Sequence, residues 1–260
     1  MAVLMGPLPR AVQFAFPAIP PRLRSTASTA SAIGKIASLV SSSPNMATEG
    51  CRKFPVLLFD IMDTIVRDPF YEDVPAFFGM SLKELIECKH PTAWIEFEKG
   101  VIDEVELSKK FFKDRRPFDL EGLKACMING FSYLDGVEEL LHELRENNYE
   151  MHASTNYPIW YQMIEDKLQI SKFLSWTFCS CTLGKRKPEP DFYSDIVVHL
   201  GVDPGNCIFI DDRLKNVEAA AELGIVSLQF KSADKLRRDF SNLGIDIQTR
   251  DQLMVEETSS

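Results

Sequence analysis

The chain has 260 residues, a formal net charge of −9, 45% hydrophobic and 26% charged residues, an ordinary globular composition. This length suffices for a sizeable core, one domain plus an insert. The acidic balance argues against a nucleic-acid partner, whose footprint is a basic face. No apolar run approaches the ~20 residues that span a bilayer, so no membrane partner is expected.

Residues 1–48 carry Arg10, Arg22, Arg24 and Lys35 but no Asp or Glu, among abundant serines. Such a composition matches an organelle transit peptide, and the scarcity of arginine favours the chloroplast, hence the stroma, over the mitochondrion. The alternative is a disordered tail without an address.

Val56-Leu57-Leu58-Phe59 then forms an unbroken apolar run that predicts a strand buried on both faces. It runs into Asp60-Ile61-Met62-Asp63-Thr64. At the C-terminal end of such a strand a carboxylate serves as nucleophile or metal ligand, and the Thr64 hydroxyl can hold a phosphate oxygen. An Asx-type turn is the other reading of the same residues.

Residues 67–134 read as an all-helical insert. Its helices are Asp73 through Glu87 with Gly79 as a potential break, one opened by Pro91, one capped by Asp103 through Phe112, and one opened by Asp119 through Met127. Asp135 to Glu146 follows as an amphipathic helix. The next strand, Tyr149 to Thr155, ends in Thr155-Asn156. A helix to Leu168, a strand Trp176 to Cys181, and a loop that holds Lys187 before Pro188 come next. After a helix from Asp191 to Leu200, the strand Cys207 to Ile210 ends in Asp211-Asp212. A helix, a strand Ile225 to Phe230 and a helix capped by Ser232 complete the pattern, with a disordered tail at 248–260. This alternation predicts right-handed βαβ units, a parallel sheet and the α/β class, with the core formed by 54–66 and 135–247.

Parallel strands direct their C-terminal ends at one edge, so Asp60, Thr155, Asn156, Lys187, Asp211 and Asp212 are expected together. Carboxylates for attack and for Mg²⁺, a hydroxyl, an amide and an ammonium are what phosphoryl transfer requires. Six cysteines lack zinc-ligand spacing and are expected as free thiols, Cys179 and Cys181 alternating faces of one strand. Four histidines likewise lack ligand spacing.

The four segments Phe59-Asp60-Ile61-Met62-Asp63-Thr64, Thr155-Asn156, Lys187-Pro188-Glu189-Pro190 and Phe209-Ile210-Asp211-Asp212 resemble, in order and spacing, the motifs of haloacid-dehalogenase-like (HAD-like) phosphatases. The helical insert resembles the C1-type cap of that family, beside a Rossmann-like core. The wording Asp-Ile-Met-Asp-Thr-Ile-Val, the stretch Thr155 to Tyr161 and the serine-rich leader are similar to plant chloroplast flavin mononucleotide (FMN) hydrolases. The resemblance implies Asp60 as nucleophile, with Asp60, the Met62 carbonyl, Asp211 and Asp212 around Mg²⁺. It further implies Thr64, Thr155, Asn156 and Lys187 around the phosphate of a small ester, FMN for choice.

One position departs from the family pattern. The second motif aspartate, which moves protons, is Met62 here, and a thioether moves none. Asp63 is the nearest replacement, so a slow phosphatase is expected unless Asp63 or a residue of the insert substitutes. Tyr71, Phe77, Phe78, Trp94, Tyr157 and Trp160 are candidates to stack on a flavin, although aromatics at helical spacing are more often core. The alternatives are the same chemistry on another phosphate ester, or a flavin- or phosphate-binding protein on a catalytically weak scaffold.

Overall fold

The computed structural model describes residues 53, 55–245 and 247, so the expectations for 1–48 and 248–260 lie outside the described residues. Five parallel strands form one sheet in the order β3-β2-β1-β4-β5. They are β1 (Val56–Phe59), β2 (Met151–Thr155), β3 (Ser175–Cys179), β4 (Cys207–Asp211) and β5 (Val226–Gln229). The apolar run of β1 is wholly buried at the centre. Its alternate residues feed two cores: Leu57 and Phe59 pack into one cluster with Ile164, Leu140 and Phe240, Val56 and Leu58 into the other with Phe192, Ile196 and Ala220. Helices therefore cover both faces, as a strand apolar on both sides demands.

The register sets the site. Phe59 lies opposite Ala153 of β2 and Ile210 of β4, so Asp60, Ser154-Thr155 and Asp211 emerge together on the edge where strand order reverses.

Between β1 and β2 lie α1 (Asp73–Phe78), α2 (Leu82–Cys88), α3 (Ala93–Glu98), α4 (Glu104–Lys110), α5 (Leu120–Gly130) and α6 (Val137–Glu146). The expected helix from Asp73 to Glu87 is two. Gly79 adopts a left-handed φ of 64°, and a reciprocal Ser81–Glu84 capping box starts the chain again. Asp103 and Asp119 cap their helices as expected, accepting from Glu106 N and Gly122 N. Phe78, Phe111, Phe112 and Phe118 pack ring against ring inside this helical segment.

The segment leaves and rejoins the sheet at paired backbone. Val66 bridges Tyr133, Leu134 N donates to Ile65 O at 2.9 Å, and Arg67 N donates to Ser132 O at 2.9 Å. Farther out, Trp160 Nε1 donates to Glu104 at 3.0 Å. Gly100, with φ 66°, sits so close to Cys181 that a Cβ there would lie 2.5 Å from its carbonyl oxygen.

Three expected strands are shorter in the structure: β2 begins at Met151, β5 spans only Val226–Gln229, and β3 departs with the largest consequence. β3 stops at Cys179, and Ser180–Leu183 forms a helical turn closed by Gly184 at φ 68°. The buried Ser180 hydroxyl donates to the Glu98 carbonyl at 2.5 Å, which turns the chain off the sheet. Cys179 and Cys181 thus do not alternate on one strand. Cys88, Cys126, Cys179, Cys181 and Cys207 are free thiols.

Candidate active site

Asp60 is the first residue beyond β1, fixed by its amide donating to Ile210 O at 2.8 Å. Oxygens of Asp60, Asp211 and Asp212 all lie within 4.8 Å of one another. One buried cation answers them: Lys187 Nζ stands 2.8 Å from Asp60 Oδ1 and 2.6 Å from Asp211 Oδ2, and donates to Ser154 O at 2.6 Å. Lys187 is 1% exposed. Asn156 holds its backbone from both sides, donating to Lys187 O and accepting from Lys187 N, each at 2.8 Å.

The two acids at the end of β4 differ. Asp211, fully buried, is saturated: Oδ1 accepts from Arg213 N at 2.8 Å and Asn216 Nδ2 at 3.1 Å, Oδ2 from Lys187 and from Asn216 at 3.0 Å. Asp212 is fixed only through its backbone, its amide donating to Thr64 Oγ1 at 3.1 Å and its carbonyl accepting from Gln229 Nε2 at 2.8 Å. Among the described residues its Oδ1 is buried without a partner, and so is Thr155 Oγ1. Buried polar atoms ordinarily have partners, so these two mark positions shaped for a ligand. An all-oxygen set of three carboxylates is what a hard divalent cation takes, and the unpartnered Asp212 oxygen fits one.

Crowding and burial show in the titration. Burial pushes the Asp60 carboxyl upward, Lys187 opposing and Asp211 adding to the rise. Burial also lifts Asp212 to about 6, with Asp211 reinforcing it and Arg213 opposing. For Lys187 burial pulls downward, yet Asp211 and Asp60 outweigh it and its pKa is raised.

The edge therefore brings Lys187 against Asp60 and Asp211, with an Asp212 oxygen within 4.8 Å of theirs and Thr155 on the neighbouring strand end. Thr64 and Asn156 spend their side chains on the backbones of Asp212 and Lys187. Asp63 is turned aside: it has a left-handed φ of 55°, and its Oδ1 accepts from Asp68 N at 3.0 Å.

Above the edge lies a cavity of about 270 Å³. Asp60, Met62, Asn156, Lys187 and Asn216 face it from the sheet; Asp68, Phe70, Tyr71, Lys89, Trp94 and Glu98 face it from the inserted segment, with Tyr157, Arg186 and Arg213 at the sides. Of the six candidate aromatics, Tyr71, Trp94 and Tyr157 line this space; Phe77 packs on Phe78, Phe78 on Phe111, Phe112 and Phe118, and Trp160 on Trp94 and Phe97. Asn216, Asp68, Lys89, Arg186 and Arg213 are site residues that sequence patterns do not announce. Each imitates an ordinary surface or cap residue in the sequence; only the position of Asn216 and Arg213, just past an acidic strand end, offers a signal. The four histidines hold no metal cluster among the described residues; His152, for instance, meets Thr177 Oγ1 and Glu150 Oε1.

With this geometry in view, likeness to known proteins becomes informative. Residues 54–224 match the family model for haloacid dehalogenase-like hydrolases. The chain is 65% identical over 196 residues, 75% of its own length and 80% of the relative's, to flavin mononucleotide hydrolase 1, chloroplastic, of Arabidopsis thaliana. It is 28% identical, over 68% of this chain and 90% of the relative, to a sesquiterpene phosphatase of Aspergillus oryzae. Among solved structures, a HAD-family enzyme of Bacteroides thetaiotaomicron in its magnesium complex superposes with a TM-score of 0.60 at 21% identity, covering 72% of this chain and 98% of that one, which shows the shared fold. The chain belongs to the haloacid dehalogenase-like hydrolases.

Proposed function

We propose that this chain is a Mg²⁺-dependent phosphatase that hydrolyses FMN to riboflavin and inorganic phosphate, with Asp60 as nucleophile. The observation that carries the chemistry is the packing of Asp60, Asp211 and Asp212 around one buried lysine beneath a solvent-reachable cavity. The substrate rests on the high identity to the Arabidopsis FMN hydrolase. The same relative's name and the acid-free composition of residues 1–48 support the chloroplast, with the stroma as the finer part of the proposal.

In this reading Asp60 attacks phosphorus and forms a phosphoaspartate that water then cleaves. Lys187, already placed against Asp60, and the Thr155 hydroxyl, which lacks a partner among the described residues, hold the non-bridging phosphate oxygens. Asn156 supports this by fixing the Lys187 backbone, and Thr64 by fixing Asp212. Asp60, the Met62 carbonyl and Asp212 would hold Mg²⁺, with Asp211 orienting Lys187 and Asn216 beside them. Bound there, the cation neutralises phosphate charge as the transition state develops. Residues 67–134 act as a cap over the core of 54–66 and 135–247. Tyr71, Trp94 and Tyr157 face the isoalloxazine ring of the substrate from around the cavity.

Phosphate release from FMN is the test, with and without Mg²⁺, in the parent and in Asp60→Asn. Metal-dependent release that vanishes in the variant is expected. Faster release from sugar phosphates than from FMN at matched concentration would leave the chemistry and overturn the substrate; no metal-dependent release from any ester would overturn both.

A further inference from the structure

Phosphoryl transfer through Asp60 needs a group that gives a proton to the departing ester oxygen and later takes one from water. The side chain two residues after Asp60 is that of Met62, which does neither. Asp63 is committed to the Asp68 amide and does not line the cavity. Asp60, Asp68 and Glu98 are the carboxylates that line it. Glu98 is engaged, its Oε2 accepting from Arg186 at 2.9 Å. Asp68 remains. It stands at the foot of the inserted segment, where Oδ1 accepts from Phe70 N at 2.9 Å and fixes the side chain. Its Oδ2 takes no hydrogen bond among the described residues, and the residue shares the cavity with Asp60.

We infer that Asp68 is the general acid and base of the reaction, standing in from a different backbone position for the proton-carrying side chain that Met62 lacks. The inference rests on the phosphatase reading above. In the first step an Asp60 oxygen bonds to phosphorus, the ester P–O bond breaks, and the alkoxide takes the Asp68 proton. In the second, the Asp68 carboxylate takes a proton from water as the water oxygen bonds to phosphorus. The bond from phosphorus to Asp60 breaks, inorganic phosphate leaves, and Asp68 is again protonated.

The surroundings suit both roles. Burial raises the Asp68 carboxyl to about 6; the Phe70 amide lowers it, Asp63 and Asp212 add to the rise, and Arg213 opposes it. Tyr71, Lys89 and Tyr157 also face it. A carboxyl poised there is closer to neutral pH than an ordinary one, which is where acid and base catalysis are both effective.

The test is Asp68→Asn, which keeps the Oδ1 acceptor for Phe70 N, assayed with Mg²⁺ on FMN and on p-nitrophenyl phosphate, whose leaving group departs without a proton. On FMN, kcat is expected to fall about 10²- to 10⁴-fold with KM little changed. On p-nitrophenyl phosphate, rapid mixing should show a burst of nitrophenolate near the parent rate, and acid quenching should trap accumulated phosphoenzyme, because only the second step lacks its base. Met62→Asp in the Asp68→Asn background should restore turnover. A kcat on FMN within about threefold of the parent, or equal losses on both esters without phosphoenzyme, would overturn the role. An inactive parent defeats the phosphatase reading instead, so the two failures are distinguishable.

Discussion

On the sheet side of the cavity, Asp211 takes four hydrogen bonds, and Lys187 is clamped between two carboxylates and a carbonyl. On the helical side, Lys89 stands 4.6 Å from the Phe70 ring centroid and 5.9 Å from that of Trp94, with no carboxylate in ion-pair range among the described residues. Burial, the largest influence on it, pulls the Lys89 ammonium below its ordinary range. At its centre the sheet side is thus over-determined: Asp211 and Lys187 are each fixed by several partners, so their dipoles need no rearrangement when charge shifts on a bound phosphate. The other side is under-determined. Lys89 and the second carboxylate oxygen of Asp68 have contacts to spare among the described residues, as suits a wall that meets the variable part of a ligand.

Removing the central cation is the harshest way to break this comparison. Lys187→Met leaves Asp60 and Asp211 buried without their partner, and about 3–5 kcal/mol of stability should be lost in urea unfolding. A loss under about 1 kcal/mol would mean that the acidic edge is not held by that ion pair. Next comes the seam between the two sides. Gly100→Ala forces a left-handed backbone on alanine and drives its Cβ against the Cys181 carbonyl, so roughly 1–3 kcal/mol should be lost in thermal unfolding.

A smaller effect, with the opposite sign, belongs to Asp68. Its folded pKa of about 6 lies above the ordinary 3.8, so its contribution is present below about pH 4 and is lost as pH rises through about 6. In metal-free protein, Asp68→Asn should therefore match the parent at pH 3.5 to 4 and exceed it at pH 7.5 by roughly 1–2 kcal/mol. Equal stabilities at both pH values would show that the carboxyl is not strained by burial. The mildest test is Lys89→Met. Stability should stay within about 0.5 kcal/mol, while KM for FMN rises roughly tenfold and KM for p-nitrophenyl phosphate changes less.

The same contrast governs what is legible in the sequence. Asp60, Thr155 and Asp211 are legible because an apolar strand that stops in a polar residue marks a sheet edge, and parallel strands deliver their ends to one such edge. Lys187 is legible from its place before a proline in the loop that follows. Asn216 is not: an asparagine in the first turn of a helix reads as a local cap, and its two bonds to Asp211 depend on how the helix Leu214–Glu222 packs. Asp68 is hidden in the same way, since an aspartate before proline reads as the N-cap it also is. The side chains of Ser180 and Cys181 suit a strand and extend the expected β3 by two residues, while the turn they form is set by a hydrogen bond to Glu98, 82 residues away in the chain. Lys89 and Trp94 lie on or beside short helices whose inward and outward faces look alike without the partner surface.

The bridge between Val66 and Tyr133 has an evolutionary consequence. Because the excursion begins and ends at one point, its two ends stay together whatever lies between them, and each doubling of its length adds only about 0.6 kcal/mol of closure entropy. Under the proposed cap reading, the intervening stretch would behave as a cassette. On that reading, helices could be lengthened, exchanged or resurfaced there while the register of β1 against β4, on which Asp60 and Asp211 depend, is kept. A lineage can therefore change what is admitted to the cavity while the bond-breaking edge is inherited intact. Asp68 is the exception, because it ties part of the proposed proton traffic to the first turn of the exchangeable piece.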